Sequence, residues 1–97
     1  MRVVRSAGEL SAAMEQSAHI YQTIGNEYGK MGKYPEALQA LATAAKLDPG
    51  FAMTHYTRGN VYEQQGNKAQ AAEEYRHAAR LDPQLQLARD ALARVAQ

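Results

Sequence analysis

The chain reads as an all-α protein built from a repeated helix pair, and three observations point there. Residues 18–51 laid over residues 52–85 match at a spacing of 34: Ala18, Thr23, Gly25, Asn26, Tyr28, Gly32, Ala37, Ala44, Ala45, Leu47, Asp48 and Pro49 recur as Ala52, Thr57, Gly59, Asn60, Tyr62, Gly66, Ala71, Ala78, Ala79, Leu81, Asp82 and Pro83. A period of this length marks stacked structural repeats. Apolar residues step by three and four almost throughout, the spacing of one helix face. No segment alternates in the β-rich manner of a strand.

The first helix opens at Ser6-Ala7-Gly8-Glu9, an S-x-x-E capping box in which serine and glutamate satisfy nearby backbone donors. Neither proline nor glycine interrupts residues 10–24, so the spacing predicts one long helix from near Ala7 to about Met31. A short separate helix, or an arm over residues 1–17, is the alternative. Leu10, Met14, Ser17, Tyr21, Ile24, Tyr28 and Met31 lie on one face of it. Gly32 supplies a left-handed residue past its end. Pro35 sits in the first turn of the next helix, where its missing N–H is harmless. That helix carries Ala37, Leu38, Leu41, Ala44, Ala45 and Leu47 inward and stops at Asp48-Pro49-Gly50, because proline moves the preceding residue out of the helical region. The second unit repeats the plan over residues 52–85: Val61, Tyr62 and Gln65 lead into a turn at Gly66-Asn67. Ala71, Ala72, Tyr75, Ala78, Ala79 and Leu81 then form the inward stripe. A last helix over residues 86–97 follows Leu85, with Ala88, Leu92 and Val95 on the same side as Leu85.

Composition limits the function classes. Ninety-seven residues make one small domain with a modest core. The net charge of +1 is spread evenly, without the basic face that nucleic-acid backbones require. The absence of cysteine removes disulfides and thiolate metal sites. No apolar run reaches the ~20 residues of a membrane span. Met1-Arg2-Val3-Val4-Arg5 lacks the apolar stretch of a secretory leader, so the expected compartment is the cytoplasm, with the chain a piece of a larger, bacterial-type protein.

The motif Tyr21-x2-Ile24-Gly25-x2-Tyr28, then Ala37-x3-Leu41, then Pro49 resembles the tetratricopeptide repeat (TPR) pattern W-x2-L-G-x2-Y, A-x3-F, P. His55-x2-Arg58-Gly59-x2-Tyr62, then Ala71-x3-Tyr75, then Pro83 resembles it again. The resemblance covers residues 18–85, and residues 86–97 look like the extra helix that caps such arrays. It implies an α-α superhelix of two helix-turn-helix units plus that capping helix. Gly25 and Gly59 fit the pattern physically. A glycine inside a helix costs about 1 kcal/mol relative to alanine, which is tolerable where the partner helix, here at Ala37 or Ala71, comes very close. A large residue at Gly59 should push two helices apart. Tyr28, Tyr62 and Tyr75 fill the wider gaps, with their hydroxyls at an edge. His55 and Arg58 depart from the family's aromatic and leucine. The stem of Arg58 should pack while its guanidinium reaches a carboxylate or water.

The resemblance also implies a non-catalytic protein-binding module whose concave groove takes an extended peptide or a partner's helix. Carried onto this chain, the groove is His19, Gln22, Thr23, Asn26 and Lys30 from the first unit. Met53, Tyr56, Thr57, Asn60 and Glu63 come from the second, and Leu87, Asp90, Ala91 and Arg94 from the last helix. Asn26 and Asn60 carry most weight, since an asparagine offers a peptide backbone both a donor and an acceptor. The carboxylate clamp of the chaperone-binding subclass is not reproduced: Asn26 matches, but Gln22, Thr57, Leu87 and Ala91 replace its lysine, second asparagine, last lysine and arginine. An acidic chaperone tail would lack charge-assisted bonds here.

Other chemistry finds little support. His19, His55 and His77 are dispersed and none has a second ligand four residues on, though His19 and His55 could meet across helices. Glu73 and Glu74 are adjacent, so on a helix they point apart, toward solvent. No catalytic or cofactor motif occurs in the sequence. Leu10 and Met14 extend the apolar stripe beyond the first unit. That stripe either folds back as a cap or pairs with a second chain, one route being a domain swap. Homo-oligomerisation is therefore the alternative function.

Overall fold

The computed structural model describes residues 6–96, and Met1-Arg2-Val3-Val4-Arg5 lies outside them. Five helices follow in order: α1 (Ala7–Lys30), α2 (Tyr34–Leu47), α3 (Ala52–Gln64), α4 (Lys68–Leu81) and α5 (Gln86–Val95). There is no strand among the described residues. α1 pairs with α2, α3 with α4, and α5 packs on α4, while α3 also touches α1 and α2. The result is a slab of 49 × 29 × 15 Å.

Local chemistry sets the ends of these helices. Ser6 accepts a hydrogen bond from the Glu9 backbone N–H at 3.1 Å, and α1 then runs unbroken to Lys30. Both units turn on a glycine in the left-handed region, Gly32 at φ 76° and Gly66 at φ 81°, where a Cβ would be strained. Pro35 occupies the first turn of α2. Asn67 caps α4 by accepting from the Gln70 N–H. Asp48 and Asp82, each before a proline, adopt extended backbone and accept from the N–H groups of Gly50 and Gln84, which shapes the two inter-unit turns.

The packed face of α1 is not the large apolar stripe. Its buried residues are Ala18, Gln22, Gly25 and Gly29, whereas Leu10, Tyr21, Ile24 and Met31 are exposed. The helices approach too closely for bulky side chains: a Cβ built at Gly25 would stand 2.6 Å from Leu41 Cγ, and one at Gly59 would stand 2.5 Å from Tyr75 Cε1. The glycines thus face Leu41 and the Tyr75 ring. The Ala37 carbonyl stands next, 3.2 Å from the Cβ built at Gly25. Around these contacts lie the cores. Ala37, Leu41 and Val61 join the two units, Ala71, Tyr75, Ala91 and Val95 join α4 to α5, and Ala52, Ala78 and Ala88 form a third cluster.

Candidate functional site

A cleft of about 460 Å³ opens between α1 and α3, lined by Asn26, Gly29, Lys30, Thr57, Asn60, Val61, Glu63 and Gln64. Five of these were expected from the sequence: Asn26, Lys30, Thr57, Asn60 and Glu63. Gly29, Val61 and Gln64 were not. Gly29 and Val61 form part of the floor because a β-carbon at Gly29 would touch Val61 at 3.2 Å.

The other expected residues are placed differently. Gln22 is buried and donates from Nε2 to Thr57 Oγ1 at 2.7 Å, so this pair fastens α1 to α3 from within. Thr23 donates to the His19 carbonyl of its own helix at 3.0 Å. His19 stacks on Phe51, with ring centroids 5.0 Å apart, beside the inter-unit turn. Met53 lines a separate cleft with Phe51, Leu81 and Leu85. Tyr56 tilts against Tyr75 at 5.7 Å. On α5, Ala91 is buried, Leu87 is exposed, and Asp90 accepts from Gln86 Nε2 at 2.7 Å.

One end of the cleft is closed by a polar network absent from the sequence reading. The Tyr75 hydroxyl lies 2.6 Å from Asn60 Oδ1 and 2.7 Å from Glu63 Oε1, and its single proton serves these two acceptors between them. Arg94 of α5 reaches Glu63 with two donors, Nη2 at 2.6 Å and Nε at 3.3 Å. The Arg94 hydrogen bond, outweighing burial, holds the Glu63 carboxyl below its ordinary value of 4.5. Burial, then the bond to Glu63, pushes the Tyr75 hydroxyl above the usual phenol range. The Asn60 oxygen is thus engaged by Tyr75, and its amide N–H₂ is the group with donors to spare. The only sequence signal was the tyrosine in place of the family's phenylalanine.

A second polar cluster lies between α3 and α4. Glu74 Oε1 takes His55 Nδ1 at 3.1 Å and Arg58 Nη1 at 3.3 Å, and His55 stacks on His77 with centroids 4.0 Å apart. Arg58 thus finds the carboxylate its departure from the family required. Glu74 is not solvated as expected; Glu73 alone faces out, paired with Arg76. The histidine pairing is His55 with His77, in place of His19 with His55. Burial raises the Glu74 carboxyl, but the His55 hydrogen bond and the Arg58 charge outweigh it and hold it low. Burial, then His55, depresses His77. No group of three or more potential metal ligands converges among the described residues.

A family model described as "Tetratricopeptide repeat" matches residues 23–86. Among solved structures, the chain is similar to the "First TPR of Spaghetti (RPAP3) bound to HSP90 peptide SRMEEVD". That match has 25% identity and a TM-score of 0.80, and covers 84% of this chain and 66% of the other. It is also similar to the TPR domain of Arabidopsis OM64, at 25% identity and a TM-score of 0.75, covering 81% of this chain and 65% of the other. The chain thus spans just under two thirds of the length of these solved chains. No curated protein matches it.

Proposed function

The chain belongs to the tetratricopeptide repeat family, whose members generally mediate protein–protein interaction without catalysis, and from that premise we propose that the cleft between α1 and α3 binds an extended peptide or a partner's helix. The observation that carries the reading is the cleft itself. Asn26 and Asn60, one period apart, line it together beside Lys30, Glu63 and Gln64. Side-chain amides at a 34-residue spacing offer a ligand backbone repeated hydrogen-bonding points, which orders the ligand without reading its sequence.

The RPAP3 neighbour is bound to an HSP90 peptide. We do not extend that ligand to this chain. Gln22 and Thr57 hold each other, Ala91 is buried, and Arg94 already serves Glu63. A terminal carboxylate would meet the uncharged Gln22, Leu87 and Ala91 at the clamp's cationic positions. Titration with such an acidic tail should show no saturable binding at micromolar concentration, and micromolar affinity would overturn this part of the reading.

The test of the groove is capture from native lysate by the wild-type chain and by Asn26→Ala/Asn60→Ala. Partners should be lost from the double variant while its circular dichroism stays helical. Partners retained at wild-type level would place binding elsewhere on the surface. Asn26→Ala alone guards against misreading, since Asn60 also accepts from Tyr75 and Asn60→Ala disturbs that bond.

A further inference from the structure

A groove of about 310 Å³ runs between α1 and α2 and shares no lining residue with the cleft between α1 and α3. Tyr21, Ile24 and Tyr28, on one side of α1 at helical spacing, form one wall. Glu36, Ala40 and Thr43, again on one side of their helix, belong to the α2 wall. One period on, the same places in α3 and α4 hold a different set. His55 and Arg58 stand where Tyr21 and Ile24 do, and Glu74 and His77 stand where Ala40 and Thr43 do. There the chain fills the positions from within. Glu74 Oε1 takes Arg58 Nη1 at 3.3 Å and His55 Nδ1 at 3.1 Å, and His77 stacks on His55.

The first unit has no such set. Ile24 and Ala40 carry no polar side-chain atom, and the Thr43 hydroxyl donates to the Gln39 carbonyl of its own helix at 3.2 Å. Its carboxylate stands one helical turn away, at Glu36, where α4 has the neutral Gln70, whose side-chain oxygen accepts from the Asn67 amide at 2.7 Å. Glu36 is exposed, and no cation among the described residues pairs with it. Tyr21 is 39% exposed, and Tyr28 is half-buried against the cluster of Ala37 and Leu41. The second unit thus combines two rings, a carboxylate and a guanidinium. The first has the two rings and the carboxylate and lacks the guanidinium.

We propose that this groove receives an arginine side chain of a partner polypeptide, which takes the place that Arg58 has in the second unit. The chemistry of the walls selects it. A guanidinium stacks on aromatic rings and offers a carboxylate a planar fork of N–H donors. Tyr21 and Tyr28 supply the rings, and Glu36 supplies the anion. Ile24 and the buried Ala40 give the apolar stem a surface to lie on. An anionic side chain would be repelled by Glu36, and an aliphatic one would gain nothing from it. A lysine brings a compact, strongly hydrated charge that stacks less well than a guanidinium. The groove is a second point of attachment, independent of Asn26 and Asn60.

The probes are N-acetyl-arginine amide and its citrulline analogue, which keeps the shape and loses the charge. Each is titrated at millimolar concentration and constant ionic strength into the isotope-labelled chain, followed by NMR. The arginine probe should shift the signals of Tyr21, Tyr28 and Glu36 saturably. The citrulline probe should bind at least about fivefold more weakly, since ring attraction and ion pairing are both lost. Glu36→Gln, which copies Gln70, and Tyr21→Ala should each weaken the arginine probe about twofold to fivefold. Ile24→Arg, which copies Arg58, puts the chain's own guanidinium in the groove and should abolish binding. All three residues are exposed, so these variants should keep their helical circular dichroism. Equal affinity for the two probes, saturable shifts only elsewhere, or no saturable shift overturns the proposal. Undiminished binding to folded Ile24→Arg overturns it as well. None of these outcomes bears on the cleft between α1 and α3, whose lining residues are different.

Discussion

The two helix pairs share a frame and fill it oppositely. Where the second unit places His55, Arg58 and Glu74, the first places Tyr21, Ile24 and Ala40. Where the second opposes its glycine with the Tyr75 ring, the first uses Leu41. The polar set of the second unit sits largely out of water, and its members satisfy one another: Glu74 takes both His55 and Arg58. The apolar set of the first unit is exposed along α1. A repeat fixes where a residue stands, then, and neighbours decide what it does there. Buried charge survives in the second unit only because every member has a partner. Exposed apolar surface in the first unit is tolerable alone and useful when covered.

The strongest contrast concerns Tyr75 and Leu41, both fully buried at equivalent positions. Tyr75→Ala removes the ring on Gly59 and the hydroxyl shared by Asn60 and Glu63, so it should cost about 3–5 kcal/mol. Leu41→Ala should cost about 2–4 kcal/mol, since no polar network falls with it. Urea unfolding of the two variants checks the order, and a smaller loss for Tyr75→Ala would show that its network adds nothing to the ring.

Glu74→Gln comes next. It leaves the half-buried Arg58 and the buried His55 without their anion, an expected loss of about 1–3 kcal/mol. Its counterpart Ala40 bonds no charge, and Ala40→Ser should stay within about 1 kcal/mol. Equal effects in thermal unfolding would contradict the division into a polar and an apolar unit.

The smallest contrast is with pH. Glu63 and Glu74 have folded pKa values below the ordinary 4.5, so they add stability above that value and lose it as pH falls through their lower folded values. His77 is also depressed, so its contribution is present above its ordinary 6.5 and is lost as pH falls through its lower folded value. Acid should therefore loosen α3, α4 and α5 before α1 and α2. Amide exchange followed from pH 7 to well below 4.5, corrected for the intrinsic pH dependence of exchange, reads this, and earlier opening of α1 would reverse the assignment.

Much of this architecture is local and could be read directly from the chain. Gly32 and Gly66 end helices because few residues other than glycine tolerate positive φ, and Asp48-Pro49 and Asp82-Pro83 stop them because proline excludes the helical region before it. Ser6 and Glu9 start α1 through a contact three residues long. The candidate site was half legible. Asn26, Lys30, Asn60 and Glu63 follow from the resemblance to the repeat family, but Gln22 and Thr57 turn out to hold each other. Arg94 closing on Glu63 joins residues 31 apart, and nothing in either neighbourhood announces it.

The inward face of α1 shows where the chain order stops being enough. Its apolar stripe sets Leu10, Tyr21 and Ile24 on one face, yet the residues it buries are Ala18, Gln22, Gly25 and Gly29. Periodicity reports which residues share a side of a helix, because helical geometry is fixed by the backbone. It does not report how near the next helix comes. That distance follows from packing Leu41 and Tyr75 onto bare glycine backbone, and such contacts form only between segments that the fold brings together.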